Sequence, residues 1–536
     1  MSVLLFLIVL YILLGLSMMK LFEKAGIPGW KALVPGVAAV EWCKLVGRKP
    51  AYALWFLFPI VNIFIYAGMV IDLIRSFGRH GFWDSVLAVV YAPISFFWVG
   101  RDSNAKYEGP ILDKEREFHR LHHEAVEKKD VLGLKKLDSQ YPQFKKSATR
   151  EWTEAIVFAV FAAAFIRMFL IEAYVIPSSS MEGSLKVGDY LFVSKAHYGI
   201  RTPMTVIQFP LMHNVMPVTG NESYMEEPSL PYFRLPAIET VDRNEPVVFN
   251  WPAGDSVYIV PGRSWDVGQW KRKNLANTEY KGMKVPFVTR PVDKKDHYIK
   301  RCLAIAGDSF QIRDGQVIVN GQVAQNPTHK QFTYQVKLGT TPLNVQKVAD
   351  LGVNIYDLDQ SRSPRGTAAK NGYFNLDDTQ VAKIKSWGFE VVRLKNDNRV
   401  SGDLFPNDPK QYTTWTVDDF GPLWIPKKGA TTELTLASLP FYRRVIQVYE
   451  HNKLEVRNGK IFINDQEATS YTFKQDYFWM QGDNRHNSED SRFWGYVPED
   501  HIVGKPLFIW FSIKEGSGNF FQRIQWGRIF KSASTM

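Results

Sequence analysis

Apolar residues follow two different patterns along the chain. In the first third they form long runs, at residues 2–19, 51–71, 86–99 and 153–171. Runs of about 18 residues or more can cross a hydrocarbon core of about 30 Å, so the first, second and fourth predict transmembrane helices. No basic residue precedes 2–19 and no small-x-small cleavage site follows it, which favours a spanning helix over a removed signal peptide. The third run is short and contains Pro93, so a full span and a re-entrant segment both remain open.

After Val175 the pattern changes to short runs rich in β-branched and aromatic residues, separated by Gly, Asn, Asp and Pro. Such runs predict an all-β region. Residues 313–324 and 457–468 resemble each other, and each contains an Asp-Gly or Asn-Gly turn signal that predicts a hairpin. Duplication and coincidence explain this similarity equally well.

The fold class expected from these patterns is a set of N-terminal transmembrane helices followed by a mostly-β extracytoplasmic domain with a large α+β insertion. The insertion is more polar than its surroundings and contains one predicted helix, "LDDTQVAKIKSWG". The expected boundaries are 1–100 for a membrane module with two or three spans, 101–152 for a basic helical segment, 153–173 for a transmembrane helix, 174–324 and 441–520 for the two parts of the β domain, 325–440 for the insertion and 521–536 for a C-terminal tail.

Basic residues near the apolar runs predict the orientation of the chain, because Lys and Arg favour the cytoplasmic side. Six lie in 20–50 and twelve in 100–152, against two in 72–85. This distribution places the N-terminus outside, 101–152 in the cytoplasm and the β domain outside a multi-pass plasma membrane protein. The net charge of +11 is scattered and lacks a basic block interleaved with aromatic residues, so we expect no nucleic acid partner.

Metal and disulfide chemistry are both disfavoured by the sequence. The two cysteines, Cys43 and Cys302, are far apart, and neither lies in a CxxC motif. The "HHEAVE" stretch nearly matches the H-E-x-x-H zinc motif, but Glu127 stands where the second histidine is required. We therefore expect no metal and no cofactor.

The stretch "VIPSSSMEGS" at 175–184 carries four serines, and a serine needs a base before it can act as a nucleophile. The chain has no G-x-S-x-G elbow, and its S-x-x-K at Ser103 lies in the predicted cytoplasmic segment without the companion motifs of that chemistry. A lysine base is the remaining option. A solvated lysine is neutral only about once in 2,500 molecules at pH 7, so the base must be buried. Lys300 lies in a predicted apolar strand, although a lone lysine there more often points to solvent.

Three segments, "IPSSSMEGSLKVGDYLFVSK", "HYIKRCLAIAGD" and "GDNRHNSEDSRFWGYVP", resemble the successive conserved boxes of bacterial type I signal peptidases (leader peptidases, peptidase family S26), in the family's order. The resemblance covers about 150–200 and 240–515, with the insertion outside it. The long form is similar to family members from Bacteroidetes, and residues about 20–100 resemble a small fused membrane module. The resemblance implies a signal-peptidase-like β fold and a membrane-bound serine endopeptidase. Such an enzyme removes N-terminal signal peptides after small residues at the outer face of the plasma membrane.

The resemblance also implies roles for single residues. Ser180 would be the nucleophile and Lys300 the general base, while the Ser178 hydroxyl and the Ser180 amide would form the oxyanion hole. Ser488 would hydrogen-bond Lys300 and orient it. The structural ion pairs would come from Asp483, Arg485, Asp490, Arg492 and Arg301. The apolar subsites would be lined by Ile176, Pro177, Met181, Leu185, Tyr298 and Ile299. Ser179 receives no role.

The expected partners follow from the same resemblance and from chain length. They are signal-peptide-bearing preproteins, membrane lipid and the secretion translocon. Only eight residues separate Ile171 from Ser180, at most roughly 30 Å of extended chain, so the nucleophile should lie close to the membrane surface. Two rival interpretations are an inactive peptidase domain that only captures preproteins and a self-cleaving Ser-Lys regulator.

Overall fold

The computed structural model describes the chain except for residues 1–2, 58–60, 145–147, 213, 218, 220, 261–262, 339–341, 360–366, 397–402, 409, 413, 515–518 and 535–536. The chain forms two compact units, Met1–Phe158 and Ala159–Met536. The helices are α1 Val3–Lys24, α2 Val37–Val46, α3 Val61–Arg75, α4 Phe82–Val90, α5 Ala92–Arg101, α6 Ile111–Glu127, α7 Val131–Gln140, α8 Ala148–Phe169, α9 Val267–Arg272, α10 Val345–Ala349, α11 Thr367–Lys370, α12 Asp378–Ser386, α13 Leu439–Arg444, α14 Ser491–Trp494 and α15 Phe520–Arg523.

Helices are the regular secondary structure in the described part of the first unit, which has its own apolar core. Trp42 lies at the centre of this core, with Phe56, Tyr66 and Phe96 around its ring. A break at Tyr91 separates α4 from α5, and a proline occupies the first turn of α5, where its missing N–H costs nothing. The third apolar run therefore forms parts of two short helices.

Among the described residues, one helical segment is long and apolar enough to cross a membrane by length and composition, Glu151–Phe169 within α8. The second predicted span, 51–71, contains a 3-10 helix, Pro50–Leu57, and the beginning of α3. The first predicted span lies in α1, whose first side chains fall outside the described part. Spans before α8 remain a prediction.

The predicted boundary of the fourth span at residue 173 is wrong by a few residues. α8 ends at Phe169, and a strand begins at Ile171, where "IEAYV" brings β-branched and aromatic residues that favour strand geometry. Glu172 in this strand is buried and pairs with Arg167 at 2.7 Å and with Lys195 at 2.8 Å. These pairs tie the end of α8 to the first two strands.

The second unit is mostly β, as the sequence predicts. Its strands are β1 Ile171–Val175, β2 Asp189–Ser194, β3 Pro246–Asn250, β4 Ser256–Val260, β5 Arg263–Asp266, β6 Phe287–Thr289, β7 His297–Ala304, β8 Ser309–Arg313, β9 Gln316–Val319, β10 Gln322–Val323, β11 Phe332–Val336, β12 Tyr373–Leu376, β13 Val391–Arg393, β14 Phe420–Trp424, β15 Thr431–Glu433, β16 Leu454–Arg457, β17 Lys460–Ile463, β18 Gln466–Glu467, β19 Ser470–Thr472, β20 Tyr477–Gln481, β21 Val497–Pro498 and β22 Ile502–Ser512.

The main sheet has seven strands in the order β1-β2-β22-β3-β7-β20-β21, with every pair antiparallel. A second sheet has the order β10-β9-β8-β14. Both hairpins predicted from turn signals form, as β8–β9 and β16–β17. Asp314-Gly315 and Asn458-Gly459 all have positive φ, the backbone conformation that a two-residue hairpin turn requires.

The predicted insertion divides into two parts. Residues 332–393, here called the inserted subdomain, form a three-stranded sheet, β12-β11-β13, with its own apolar core around Phe374 and Ile384. The predicted helix is α12, which begins with a capping box between Asp377 and Gln380. In contrast, β14 pairs with β8 and β15 pairs with β19, so residues after about 415 belong to the β domain and not to an insertion.

Candidate active site

The serine stretch forms a tight turn between two strands of the main sheet. Ser178 is extended, and Ser179–Met181 forms one turn of 3-10 helix before the chain enters β2. We call Ser179–Met181 the nucleophile turn, because it contains Ser180, the predicted nucleophile. Gly183 follows with a φ of +99°, and a Cβ there would collide with the carbonyl oxygen of His329. A residue with a side chain would be both strained and in collision here, so the turn depends on glycine at this position.

Lys300 reaches the nucleophile turn from β7, where it pairs in register with Val247 of β3. Its Nζ donates to Ser180 Oγ at 2.6 Å and to the Ile299 carbonyl at 3.1 Å. The Lys300 side chain is 2% exposed, and this burial lowers its pKa to about 8. The predicted partners, 120 residues apart in sequence, are therefore in hydrogen-bond contact, and a pKa near 8 leaves a useful fraction of the amine neutral.

The Ser178 side chain lies at the open edge of the same turn. Its Oγ is 3.5 Å from Ser180 Oγ, and the residue is exposed. A hydroxyl at this place can turn toward an oxygen atom bound next to Ser180. The geometry is compatible with the oxyanion role that the sequence predicts.

Ser488 is buried against the nucleophile turn but does not bond the lysine. Its hydroxyl oxygen has no well-aligned hydrogen-bond partner among the described residues, so the predicted bond to Lys300 is not formed in this structure. Gly482 lies between Ser488 and Ser180. A Cβ at this glycine would overlap Ser488 Oγ and lie 2.5 Å from the Ser180 carbonyl oxygen. The close packing of this loop on the nucleophile turn therefore depends on glycine.

The predicted ion pairs form in two separate couples. Arg301 donates to Asp483 through Nε at 2.8 Å and Nη2 at 2.6 Å, and Arg492 donates to Asp490 at 2.9 and 2.7 Å. Burial alone would raise the pKa of Asp490, but Arg492 holds it below its usual range. Arg485 was also expected to contribute to the ion pairs, but it belongs to neither couple. Burial lowers its pKa to about 10, and its Nε and Nη2 have no hydrogen-bond partner among the described residues.

The residues expected to line apolar subsites divide by exposure. Ile176, Met181 and Leu185 are almost completely buried in a small core with Leu191 and Val193, so they support the site from below and do not form its surface. Pro177 is exposed, while Tyr298 and Ile299 are half-buried beside Lys300. Tyr298 packs against Trp251 and Trp494, and its ring centroid is 5.5 Å from Lys300 Nζ.

Sequence reasoning missed three polar residues that contact the nucleophile turn. Asn484 and Asn487 lie in the quoted "GDNRHNSEDSR" segment, and both donate to Ser179. Asp357 lies in the inserted subdomain and accepts hydrogen bonds from both asparagines. No sequence spacing indicates the role of Asp357, because only the fold brings it to the site.

No group of three or more His, Cys, Asp or Glu side chains in the described part of the chain is placed to hold a metal ion.

Both units of the chain are similar in sequence to known protein families. The sequence profile described as signal peptidase, peptidase S26, matches residues 149–382 and 447–511, more than half of the chain. This match enters the inserted subdomain, which had been expected to lie outside the resemblance. A family of unknown function (DUF5684) matches residues 30–110.

Among curated relatives, signal peptidase I of Helicobacter pylori is 24% identical over 394 residues, 71% of this chain and 90% of that protein. Signal peptidase I of Buchnera aphidicola is 20% identical over 410 residues, 76% of this chain and 91% of that protein. The Haemophilus influenzae enzyme of the same name is 24% identical over 375 residues, 70% of this chain and 73% of that protein.

Proposed function

The chain belongs to the type I signal peptidases of family S26, and from this premise we propose that it removes N-terminal signal peptides from exported preproteins with a Ser180–Lys300 dyad. The observation that carries the proposal is the 2.6 Å contact between Lys300 Nζ and Ser180 Oγ at a buried lysine. A pKa of about 8 makes the neutral amine accessible near physiological pH, as a general base requires.

The proposed cycle begins with neutral Lys300, which accepts the Ser180 proton as Ser180 Oγ attacks the carbonyl carbon of the scissile peptide bond. The tetrahedral intermediate then collapses. Lys300 returns the proton to the leaving amine, and the signal peptide remains bound to Ser180 as an ester. Lys300 next takes a proton from water as the water oxygen attacks the carbonyl carbon of the ester. The bond between that carbon and Ser180 Oγ then breaks, Lys300 returns the proton to Ser180 Oγ, and the signal peptide leaves as a carboxylic acid that ionises in water.

The developing negative charge needs preformed donors close to Ser180. We propose the Ser178 hydroxyl and the Ser180 amide for this role, since Ser178 Oγ lies 3.5 Å from the nucleophile at the exposed edge of the turn. A donor that faces the oxyanion contributes about 3 kcal/mol to the transition state. Pro177, Tyr298 and Ile299 would contact the small side chains before the scissile bond.

The proposed site of action is the outer membrane–water interface, with lipid as a partner. Arg167, near the end of α8, donates to the carbonyl oxygen of Leu211 at 2.7 Å. Leu211 lies in an extended arm, residues 201–234, whose exposed apolar side chains include Ile207 and Phe209. An apolar arm bonded to the end of a membrane-spanning helix would lie in the headgroup region. A preprotein that leaves the secretion translocon would present its cleavage site at this height, so we propose the translocon as a neighbour.

Cleavage of a purified preprotein in detergent tests this function. Wild-type protein should release the mature protein with a new N-terminus directly after a small residue. Ser180→Ala and Lys300→Ala should abolish cleavage, whereas the matched substitutions of the exposed Ser470→Ala and Lys460→Ala should not change it. Cleavage that persists in either site variant would overturn the dyad, and binding of preprotein without cleavage by the wild type would favour a capturing role.

A further inference from the structure

The nucleophile turn is supported by a carboxylate from a distant part of the chain. Asp357 opens the short 3-10 helix Asp357–Asp359 of the inserted subdomain, and its side chain is 2% exposed. Its Oδ2 accepts from Asn375 Nδ2 at 2.5 Å and from Asn484 Nδ2 at 2.6 Å. Its Oδ1 accepts from Asn487 Nδ2 at 2.7 Å. Three side-chain amides thus converge on one buried carboxylate.

Two of these amides are shared with the nucleophile turn. Asn484 Nδ2 also donates to the Ser179 carbonyl at 3.1 Å, and the Asn484 backbone N–H donates to the Ser180 carbonyl at 3.1 Å. Asn487 Nδ2 also donates to Ser179 Oγ at 3.2 Å. Asp357, the two amides and the nucleophile turn therefore form one continuous hydrogen-bonded network.

The carboxylate fixes the orientation of these amides. An ionised carboxylate only accepts hydrogen bonds, so each neighbouring asparagine must present its NH₂ group and not its carbonyl oxygen. Asn484 is fully buried, and its Oδ1 has no hydrogen-bond partner among the described residues. A buried unpaired oxygen is costly, which indicates that the NH₂ contacts determine how this amide lies. Burial raises the pKa of Asp357, while the hydrogen bonds from Ser179 and the asparagines favour its ionised form.

We propose that Asp357 is a positioning residue for the reaction, through which the inserted subdomain holds Ser180 within reach of Lys300. The proposal rests on the proposed function, because it takes Ser180 as the nucleophile. Asp357 does not touch the reacting atoms and acts through Ser179, Asn484 and Asn487. A displacement of about 1 Å in a reacting group can cost about 10²-fold in rate, so loss of this network should be visible in catalysis.

Asp357→Asn in the full-length protein tests the proposal. The new amide keeps one acceptor oxygen and replaces the other with an NH₂ group, which would face the NH₂ group of Asn484 or of Asn487, so at least one link of the network is lost. We expect kcat for preprotein cleavage to fall about 10- to 100-fold with KM within about twofold of wild type. The matched control is Asp350→Asn, an exposed aspartate of the same subdomain, which should change neither constant.

Single-turnover cleavage with enzyme in excess separates positioning from loss of folded protein. A displaced nucleophile gives a slower rate constant with the full amount of product, whereas partial unfolding gives less product at the wild-type rate constant. Asp357→Asn with the wild-type rate constant, whatever the amount of product, would overturn the proposal. If this variant does not fold, Asn487→Ala decides, because it removes one amide and leaves Asp357, Asn375 and Asn484 in place. A wild-type rate constant for Asn487→Ala would then overturn the proposal.

The double variant tests whether Asp357 and Asn487 act on Ser180 through the same hydrogen-bonded network. Asp357→Asn combined with Asn487→Ala should lose no more rate than the larger single loss, because both act through the same network. Fully additive losses would contradict a shared route. Failure of the proposed function would look different, since Ser180→Ala would then retain cleavage. If Ser180→Ala is inactive and Asp357→Asn is unimpaired, only the role of Asp357 is rejected.

Discussion

Burial of Lys300 should set the pH dependence of the enzyme. At a pKa of about 8, about 9% of the amine is neutral at pH 7, against about 0.03% at the ordinary value of 10.5. The difference is about 300-fold in the population of the active base, or about 3 kcal/mol. This free energy is the penalty that the folded protein bears when it holds the charged amine in a buried site.

The assay is kcat/KM for a preprotein between pH 6 and pH 10 in detergent. The rate should rise about tenfold for each pH unit up to a midpoint near 8 and then level off, because the neutral amine is the active form. Lys300→Arg should be inactive throughout, since a guanidinium stays protonated. A level profile down to pH 6, or a rise that continues to pH 10, would refute the argument.

One neighbouring group could imitate this titration. Glu182 follows the nucleophile turn, and burial raises its pKa to about 7. Glu182→Gln is therefore the matched control and should leave the midpoint near 8 unchanged. A midpoint that disappears in Glu182→Gln would assign the titration to the glutamate and contradict its assignment to Lys300.

The remaining predictions concern stability and reactivity. Lys300→Met should raise the free energy of unfolding below pH 8 by up to about 3 kcal/mol, and the gain should vanish above pH 10.5 because the lysine is then neutral in both states; a gain that does not depend on pH would contradict this origin. Asp483→Asn should cost about 3 to 5 kcal/mol in denaturant unfolding because it leaves the buried charge of Arg301 without its carboxylate, and a loss below about 1 kcal/mol would contradict it. Gly482→Ala should abolish cleavage because its methyl group would displace Ser180, and wild-type activity would show that the loop relaxes. Cys302 is buried and its thiol pKa is raised by burial, so thiol reagents should neither label it nor inhibit the native enzyme.

The parts of the fold that local patterns determine could be predicted from the sequence. The Asp-Gly and Asn-Gly turns gave both hairpins, and the pattern around 377–388 gave α12, because turn and cap chemistry depend on adjacent residues. The order of the main sheet could not be predicted. β22 lies between β2 and β3, although more than 250 residues separate it from each of them, and no local signal specifies such a pairing.

In the candidate site, too, local motifs could be predicted, whereas contacts between distant parts of the chain could not. The motif that contains Ser180 and the strand that contains Lys300 were recognisable, and the structure brings the two side chains together. Met181 and Leu185 were misjudged because an apolar residue beside a nucleophile can face the core as well as the substrate, and only packing decides. Asp357 could not have been found, because its contacts with Asn484 and Asn487 depend on how the inserted subdomain folds.

The most direct test of the central claim is to locate the covalent intermediate. The enzyme is mixed with a preprotein, quenched with acid during turnover, digested and analysed by mass spectrometry. The account predicts the signal peptide attached as an ester to Ser180, with no such adduct in Lys300→Ala. An adduct on any other residue would contradict the account, as would turnover that continues in Ser180→Ala.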